Sequence, residues 1–265
     1  MTQKFVLVLV LAFLMVPLGL SAHSGYNRLL DVRIISDSSG EFNQYRTYPR
    51  VGTEGRYFYL EAARGARYSI RISNNSDRRI GVVVAVDGRN IINGQRSELK
   101  PNERMYIIEP HATNTFEGWR TGMDRTNRFY FTNQTDSYTE KVFSDASAIG
   151  TIAVVAYYEV PPPVEIKREN RLGAAEAPSA PLRSLDRAEA AKSKEQAGTG
   201  FGETTYSPLR IIAFQPENTF AEKVVLKYEW SEELCRKGFG ECSRSQNRFW
   251  PENPAFAPIP RGFKG

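Results

Sequence analysis

The sequence predicts an all-β fold, an antiparallel β-sandwich, and three observations lead to that prediction. Residues 66–73 alternate apolar and polar side chains, which is the period of a strand with one buried face. Further short apolar runs recur with turn residues between them, as they do in sandwiches and barrels. Between Tyr26 and Glu159 no amphipathic pattern of four helical turns interrupts these runs, which disfavours an α/β fold.

The predicted strands follow one another closely along the first half of the chain. Residues 80–86 are apolar and mostly β-branched, the composition of a strand buried on both faces. Because the turn sequence NNSD at 74–77 separates this run from the 66–73 strand, we expect the two strands to form a hairpin. The other strands expected here are 29–36, 56–62, 105–109, 115–119, 128–132 and 149–159.

Composition changes abruptly after Glu159. Residues 159–200 hold no aromatic side chain and balance seven basic against seven acidic residues. Such a segment cannot bury enough apolar surface to offset the entropy of ordering it, so we interpret it as a flexible Pro/Ala/charged linker. The glycines at 198–202 are expected to form the hinge where the linker rejoins the fold. Residues 250–265 are Pro-rich and are expected to form a surface tail.

The residues after the linker return to a β pattern. Within 201–249 we expect strands at 209–214 and 224–230 and a short helix at 231–238, which starts with a serine cap and acidic residues and ends at glycine. Two strands and one helix make a poor independent domain. We therefore expect this part of the chain to dock back and complete the sandwich formed by residues 23–158.

Residues 1–22 have the pattern of a secretory signal peptide. Lys4 supplies the positive start, the run from Phe5 to Val16 carries no charge, and small residues follow at the expected cleavage site. The apolar run is shorter than the roughly 20 residues of a transmembrane helix. We therefore expect export to the periplasm or the cell exterior and no membrane span after cleavage, with an uncleaved N-terminal anchor as the alternative.

Composition excludes several classes of function. The net charge of +5, from 35 basic and 30 acidic residues, is too small for a dedicated nucleic-acid binder. Two histidines exclude a three-histidine metal site within the chain. No serine, cysteine or carboxylate stands in a recognised nucleophile motif.

In an oxidising compartment the two cysteines, Cys235 and Cys242, are expected to form a local disulfide, because their spacing is not that of a metal or redox pair.

Several short motifs occur in a fixed order along the chain. They are VDGRN at 86–90, GWR at 118–120, FYFT at 129–132, DSY at 136–138, and GTGFGE at 198–203 followed by SP at 207–208. In this order they resemble an uncharacterised family of exported Gram-negative bacterial proteins, with the pattern VDG-x-N, GWR, FYFT and GTGxGE…SP. The resemblance implies a β-sandwich of the cell envelope and brings no assigned activity.

The residues Gly118, Trp119 and Arg120 are the first candidates for a ligand- or partner-binding surface. Trp119 offers a flat apolar face, and the guanidinium of Arg120 offers a planar fork for carboxylate or phosphate. Asp136 and Tyr138 would complete a polar cluster beside them. The alternative is that Trp119 packs in the core, that Arg120 pairs with an acid such as Asp136, and that the DSY segment is a turn.

Aromatic side chains suggest a second class of function, a carbohydrate- or peptidoglycan-binding module. Their rings combine a large apolar face with a polar edge. Such a module requires Trp119, Tyr130 and Tyr157 to share one exposed face of the sandwich.

A third class is a copper-binding secreted protein or oxidase. If cleavage follows Ala22 rather than Ser24, the mature chain starts at His23, whose α-amine and imidazole could clamp copper with His111 as a third nitrogen ligand. The chain resembles such histidine-brace proteins only in fold class and starting residue. The alternative is an unordered N-terminus and a turn histidine after Pro110, with no cofactor.

These observations favour a non-catalytic exported protein over an enzyme. We expect it to bind or organise an envelope protein or a cell-wall component.

Overall fold

The period-two alternation of the sequence produces two β-sheets packed face to face. The computed structural model describes residues 28–48, 52–161 and 196–240. Its strands are β1 (Leu30–Ser36), β2 (Gly40–Glu41), β3 (Gln44–Thr47), β4 (Arg56–Ala62), β5 (Arg67–Asn74), β6 (Ile80–Val86), β7 (Arg89–Asn90), β8 (Tyr106–Ile108), β9 (Thr113–Phe116), β10 (Gly118–Arg120), β11 (Arg125–Asn133), β12 (Thr151–Tyr158), β13 (Ala197–Thr199), β14 (Thr204–Tyr206) and β15 (Glu222–Trp230). Its helices are α1 (Tyr138–Phe143) and α2 (Ser231–Arg236), with a 3₁₀ turn at Gln134–Asp136.

Some of the predicted segments lie outside the described residues. These are the signal peptide at 1–22, most of the linker at 159–200, and the tail at 250–265. Within the described ranges, no helix has the length and apolar character needed to cross a membrane.

The strands form an all-β sandwich, as predicted. The first sheet has the strand order β10-β11-β5-β1-β2, with β9 also pairing with β5, and β13 and β14 with β11. The second sheet has the order β3-β4-β15-β12-β6-β7, with β8 also pairing with β6. Among the described strands, neighbours are antiparallel except for β4 and β15, which run parallel.

The inner faces of the two sheets meet in one core of aliphatic and aromatic side chains. The ring of Tyr68 stacks on those of Phe129 and Phe131, with centroid distances of 5.2 and 4.3 Å. Burying each side chain of this size stabilises the fold by about 1.5–3 kcal/mol. The alternation of β5 reflects this packing, because Tyr68, Ile70 and Ile72 are all fully buried.

The hairpin predicted between β5 and β6 is wrong. β5 pairs with β1 in the first sheet, and β6 pairs with β12 in the second, so the connection crosses the sandwich. The side chain of Asn74 holds this corner by donating to the carbonyls of Arg78, Ile108 and Glu109. β6 is buried along its full length, as predicted from its composition.

The C-terminal strand β15 lies in the middle of the second sheet, between β4 and β12. The residues after the linker therefore complete the same sandwich, as predicted. The predicted helix is present in α2 but ends earlier, at Arg236. Its predicted serine cap is wrong, because Trp230 is the N-cap residue and makes no side-chain capping bond.

Two further predictions at the C-terminal side of the linker are wrong in opposite senses. Residues 197–199, expected to belong to a flexible linker and hinge, form the buried strand β13 on the edge of β11. Residues 209–214, expected to form a strand, pair with no described strand. In that stretch Ile211 and Ile212 are 74% and 46% exposed.

Candidate functional site

The GWR motif is a packing element of the first sheet. Trp119 is 2% exposed, and its indole Nε1 donates to the carbonyl of Gly200 at 3.0 Å. Its ring packs on Phe129 and Tyr138. A methyl group at Gly118 would lie 2.0 Å from the backbone oxygen of Asn127, so β10 and β11 can approach only with glycine there. Trp119 is a core residue and presents no recognition face.

Arg120 is used internally, although not by the predicted acid. Its Nε donates to the hydroxyl of Tyr106 at 2.8 Å, and its Nη1 and Nη2 donate to the backbone oxygen and Oγ of Ser207 at 2.8 and 3.0 Å. The predicted pairing with Asp136 is wrong, because that carboxylate pairs with Lys141 at 2.9 Å. Arg120 therefore ties β8, β10 and the segment after β14 together.

The DSY segment forms the entry to a helix that was not predicted. The Oγ of Ser137 accepts the backbone N–H of Glu140 and caps α1. Tyr138, in the first turn, stacks on Phe201 with a centroid distance of 5.1 Å. Asp136 is half-exposed on the surface, so the predicted polar cluster beside Trp119 does not form.

The three rings required for a sugar-binding face do not share one. Trp119 and Tyr157 are both buried. Tyr130 covers the backbone of Gly200, where an added methyl group would lie 2.1 Å from the ring carbon Cζ.

The predicted metal ligands fall partly outside the described residues, which do not include His23. His111 is exposed in a turn with φ of 56°, and its Nε2 lies 2.7 Å from Oδ1 of Asp77. Within the described ranges, no three His, Cys, Asp or Glu side chains are grouped to hold a metal ion. The disulfide also stays a prediction, because Cys235 lies in α2 while Cys242 is outside the described residues.

A buried polar chain that the sequence did not reveal joins the two sheets. When Asp87 is ionised, the hydroxyl of Tyr228 donates to its Oδ1, so the single proton of that hydroxyl is committed. The Thr199 hydroxyl, 2.7 Å away, must then donate to Tyr228, and the Tyr68 hydroxyl, at 2.8 Å, must donate to Thr199. These side chains come from the turn after β6 and from β15, β13 and β5. Each oxygen in the chain thus has a partner inside the core.

Asp87 is the one carboxyl group in this buried polar chain, and it is 1% exposed. Burial raises its pKa to about 7, because the charged form loses its hydration. The groups that act against this shift are the hydroxyl of Tyr228 and the backbone N–H groups of Thr199, Gly150 and Thr151. All these groups are internal, so Asp87 serves the fold and faces no open site.

One cleft, of about 740 Å³, opens at the side of the sandwich where β8 and β9 form adjacent sheet edges. Its other wall is formed by residues 207–216, which we call the bridging segment. Apolar groups and arginines both line it. The lining side chains include Met105, Tyr106, Phe116, Leu209, Ile211, Phe214, Arg104, Arg120 and Arg210.

The bridging segment is held at its two ends. Near its start, the N–H groups of Ser207 and Leu209 donate to the carbonyls of Asp124 and Met123 at 2.7 and 3.0 Å. Near its end, the carbonyl of Gln215 accepts from the N–H of Val160 at 2.8 Å. Between these anchors the chain spans the cleft. The cleft was missed in the sequence because its walls are far apart along the chain.

Comparisons with known proteins add no constraint to this picture, since no family model, curated protein or solved structure matches the chain.

Proposed function

We propose that the chain is a non-catalytic, exported β-sandwich that binds a partner of the bacterial envelope through the cleft beneath the bridging segment. The observation that carries this proposal is that exposed apolar side chains, above all Ile211, and arginines line the same cleft. Apolar surface combined with arginine is typical of protein interfaces.

The groups that could have supported chemistry are engaged inside the protein. Arg120 is bound by Tyr106 and Ser207, and Asp87 by Tyr228 and backbone N–H groups. This arrangement supports a binding role over catalysis. The signal-peptide pattern of residues 1–22 and the resemblance to exported proteins support the location.

Site-specific crosslinking tests the proposal in the cells that make the protein. A photoreactive phenylalanine analogue replaces Ile211 in the cleft or, as control, Tyr48, which is 78% exposed beyond β3 at the opposite edge of the second sheet. We expect one discrete crosslinked product from the Ile211 position, recovered in the periplasmic or envelope fraction, and none from Tyr48. Equal products from both positions, no product from Ile211, or a cytoplasmic product would contradict the proposal.

A further inference from the structure

We propose that the cleft takes an extended, acidic segment of its partner protein as an added β-strand between β9 and the bridging segment. This inference rests on the proposed function, in which the cleft is the partner-binding site. It specifies the conformation and charge of the bound segment, and three features of the cleft walls support it.

The first feature is the unpaired outer edge of β9. The N–H of Asn74 in β5 donates to the carbonyl of Ala112 at 2.9 Å, so the backbone groups of Ala112, Asn114 and Phe116 face β5. Because alternate residues of a strand point their backbone groups to opposite sides, those of Thr113 and Thr115 face outward. β9 pairs with β5 alone among the described strands. Its outer N–H and C=O groups are therefore free to bind another strand.

The second feature is the opposite wall, the middle of the bridging segment. The backbone groups of Arg210, Ile211 and Ile212 make no hydrogen bond within the part of the chain that the structure describes. The β-branched isoleucines of this stretch are typical of strands. The stretch has no neighbouring strand among those described, and a partner segment bound in the cleft would provide one.

The third feature is the charge of the cleft. Three arginines line it, against the single carboxylate of Glu103. Arg104 and Arg210 form no ion pair with any described residue, whereas Arg120 donates four hydrogen bonds. The Glu103 oxygens already accept hydrogen bonds from Ser97 and from backbone N–H groups. The free positive charge selects acidic side chains on the occupant, and a symmetric contact between the clefts of two copies of this chain would instead place Arg210 against Arg210.

The occupant can be imitated with a synthetic probe. We would measure fluorescence anisotropy of the full mature protein with a short labelled peptide that alternates valine and glutamate. Matched peptides carry lysine in place of glutamate, or N-methyl groups on the backbone nitrogens of one edge. We expect the glutamate peptide to bind, and the other two to bind at least about tenfold more weakly, since each loses charge attraction or backbone hydrogen bonds.

Two pairs of variants locate the binding on the protein. Thr115→Pro removes an outward N–H of β9 without removing a bond to β5, which edge strands tolerate, and Thr115→Val is its control. Arg210→Glu reverses charge in the cleft, and Arg46→Glu does so on β3 at the far sheet edge. We expect about tenfold weaker peptide binding for Thr115→Pro and Arg210→Glu, and less than about twofold change for the controls. Thermal unfolding confirms that each variant is folded, and the N-methylated peptide tests the edge even if Thr115→Pro does not fold.

The outcomes separate this inference from the function on which it rests. Equal binding of the lysine peptide, or no effect of N-methylation, overturns the acidic added strand. If the crosslink from Ile211 forms while the glutamate peptide fails to bind, the partner-binding function stands and this inference is wrong. A crosslinked product made of two copies of the chain would replace the foreign partner by self-association and would also overturn it.

Discussion

β13 and the bridging segment lie within twenty residues of each other along the chain, but they differ in strand pairing and in burial. β13 consists of Ala197, Gly198 and Thr199, has almost no apolar pattern, and is fully buried. The bridging segment carries Leu209, Ile211, Ile212 and Phe214, pairs with no described strand between its two anchored ends, and is largely exposed. The difference between the two segments lies in the surface that each one faces. β13 fits the edge of β11, where larger side chains would not fit, whereas the cleft separates the bridging segment from the edge of β9.

The contrast teaches that strand formation in this protein depends on an available edge more than on side-chain propensity. A methyl group at Gly198 would lie 2.7 Å from Cβ of Ser137, so its lack of a side chain is what admits β13. With no described strand beside it, propensity leaves the middle of the bridging segment unpaired.

Amide hydrogen exchange should give the largest separation between the two regions. The N–H of Thr199 is bonded to Asp87 and that of Gly200 to the carbonyl of Tyr130, both at 2.8 Å, so they exchange only when the structure opens. We expect exchange there to be slower by a factor of about 1000 or more than at Ile211 and Ile212. Comparable protection at the two isoleucines would erase the contrast.

The pH dependence of stability should report on how β13 is held, because the N–H of Thr199 in β13 donates to the titratable carboxyl of Asp87. The pKa of this carboxyl is about 7 in the folded protein, against an ordinary value of 3.8. Between these values the folded state keeps a proton that the unfolded chain has lost, so raising the pH favours unfolding. The unfolding free energy of wild type relative to Asp87→Asn should fall by up to about 1.4 kcal/mol per pH unit from about pH 4 to 7, then level off.

Urea unfolding at a series of pH values measures this difference. Asp145→Asn is the control. Burial acts to raise the pKa of Asp145, but hydrogen bonds from Ser147 and the charge of Arg89 leave that pKa lowered. The unfolding free energy of wild type relative to Asp145→Asn should therefore change only in more acidic solution. A wild-type advantage over Asp87→Asn that grows with pH would contradict the assignment.

The smallest expected effect comes from a pair of substitutions, one in each region. Thr199→Val should lower the unfolding free energy by about 2–3 kcal/mol, because the buried hydroxyls of Tyr68 and Tyr228 both lose a partner. Ile211→Thr in the bridging segment should change it by less than about 0.5 kcal/mol. Denaturant titration compares the two. Thr199→Ser, which keeps the hydroxyl, should recover most of the loss; if it does not, the polar chain is not the cause.

The sequence allowed the strands with strong patterns to be predicted to within one or two residues. β4 and β6 match their predicted bounds because aromatic or β-branched residues fill them between clear turns. β13 could not be found, since three small residues carry no period. The partners of Arg120 and Asp87 could not be found either, because Ser207, Thr199 and Tyr228 are brought to them only by the fold. Pairing across the sandwich, rather than local pattern, decided these positions.

The central place of β15 has a consequence for how the protein is made. β4 and β12 are separate strands of the second sheet until β15 inserts between them with hydrogen bonds to both. Because residues 159–221 separate β12 from β15, the second sheet cannot close until β15 has been synthesised. Until then the β3–β4 and β12–β6 pairs are two separate parts of the second sheet, and the long-range pairing of β15 with both is the step that commits the chain to the folded form.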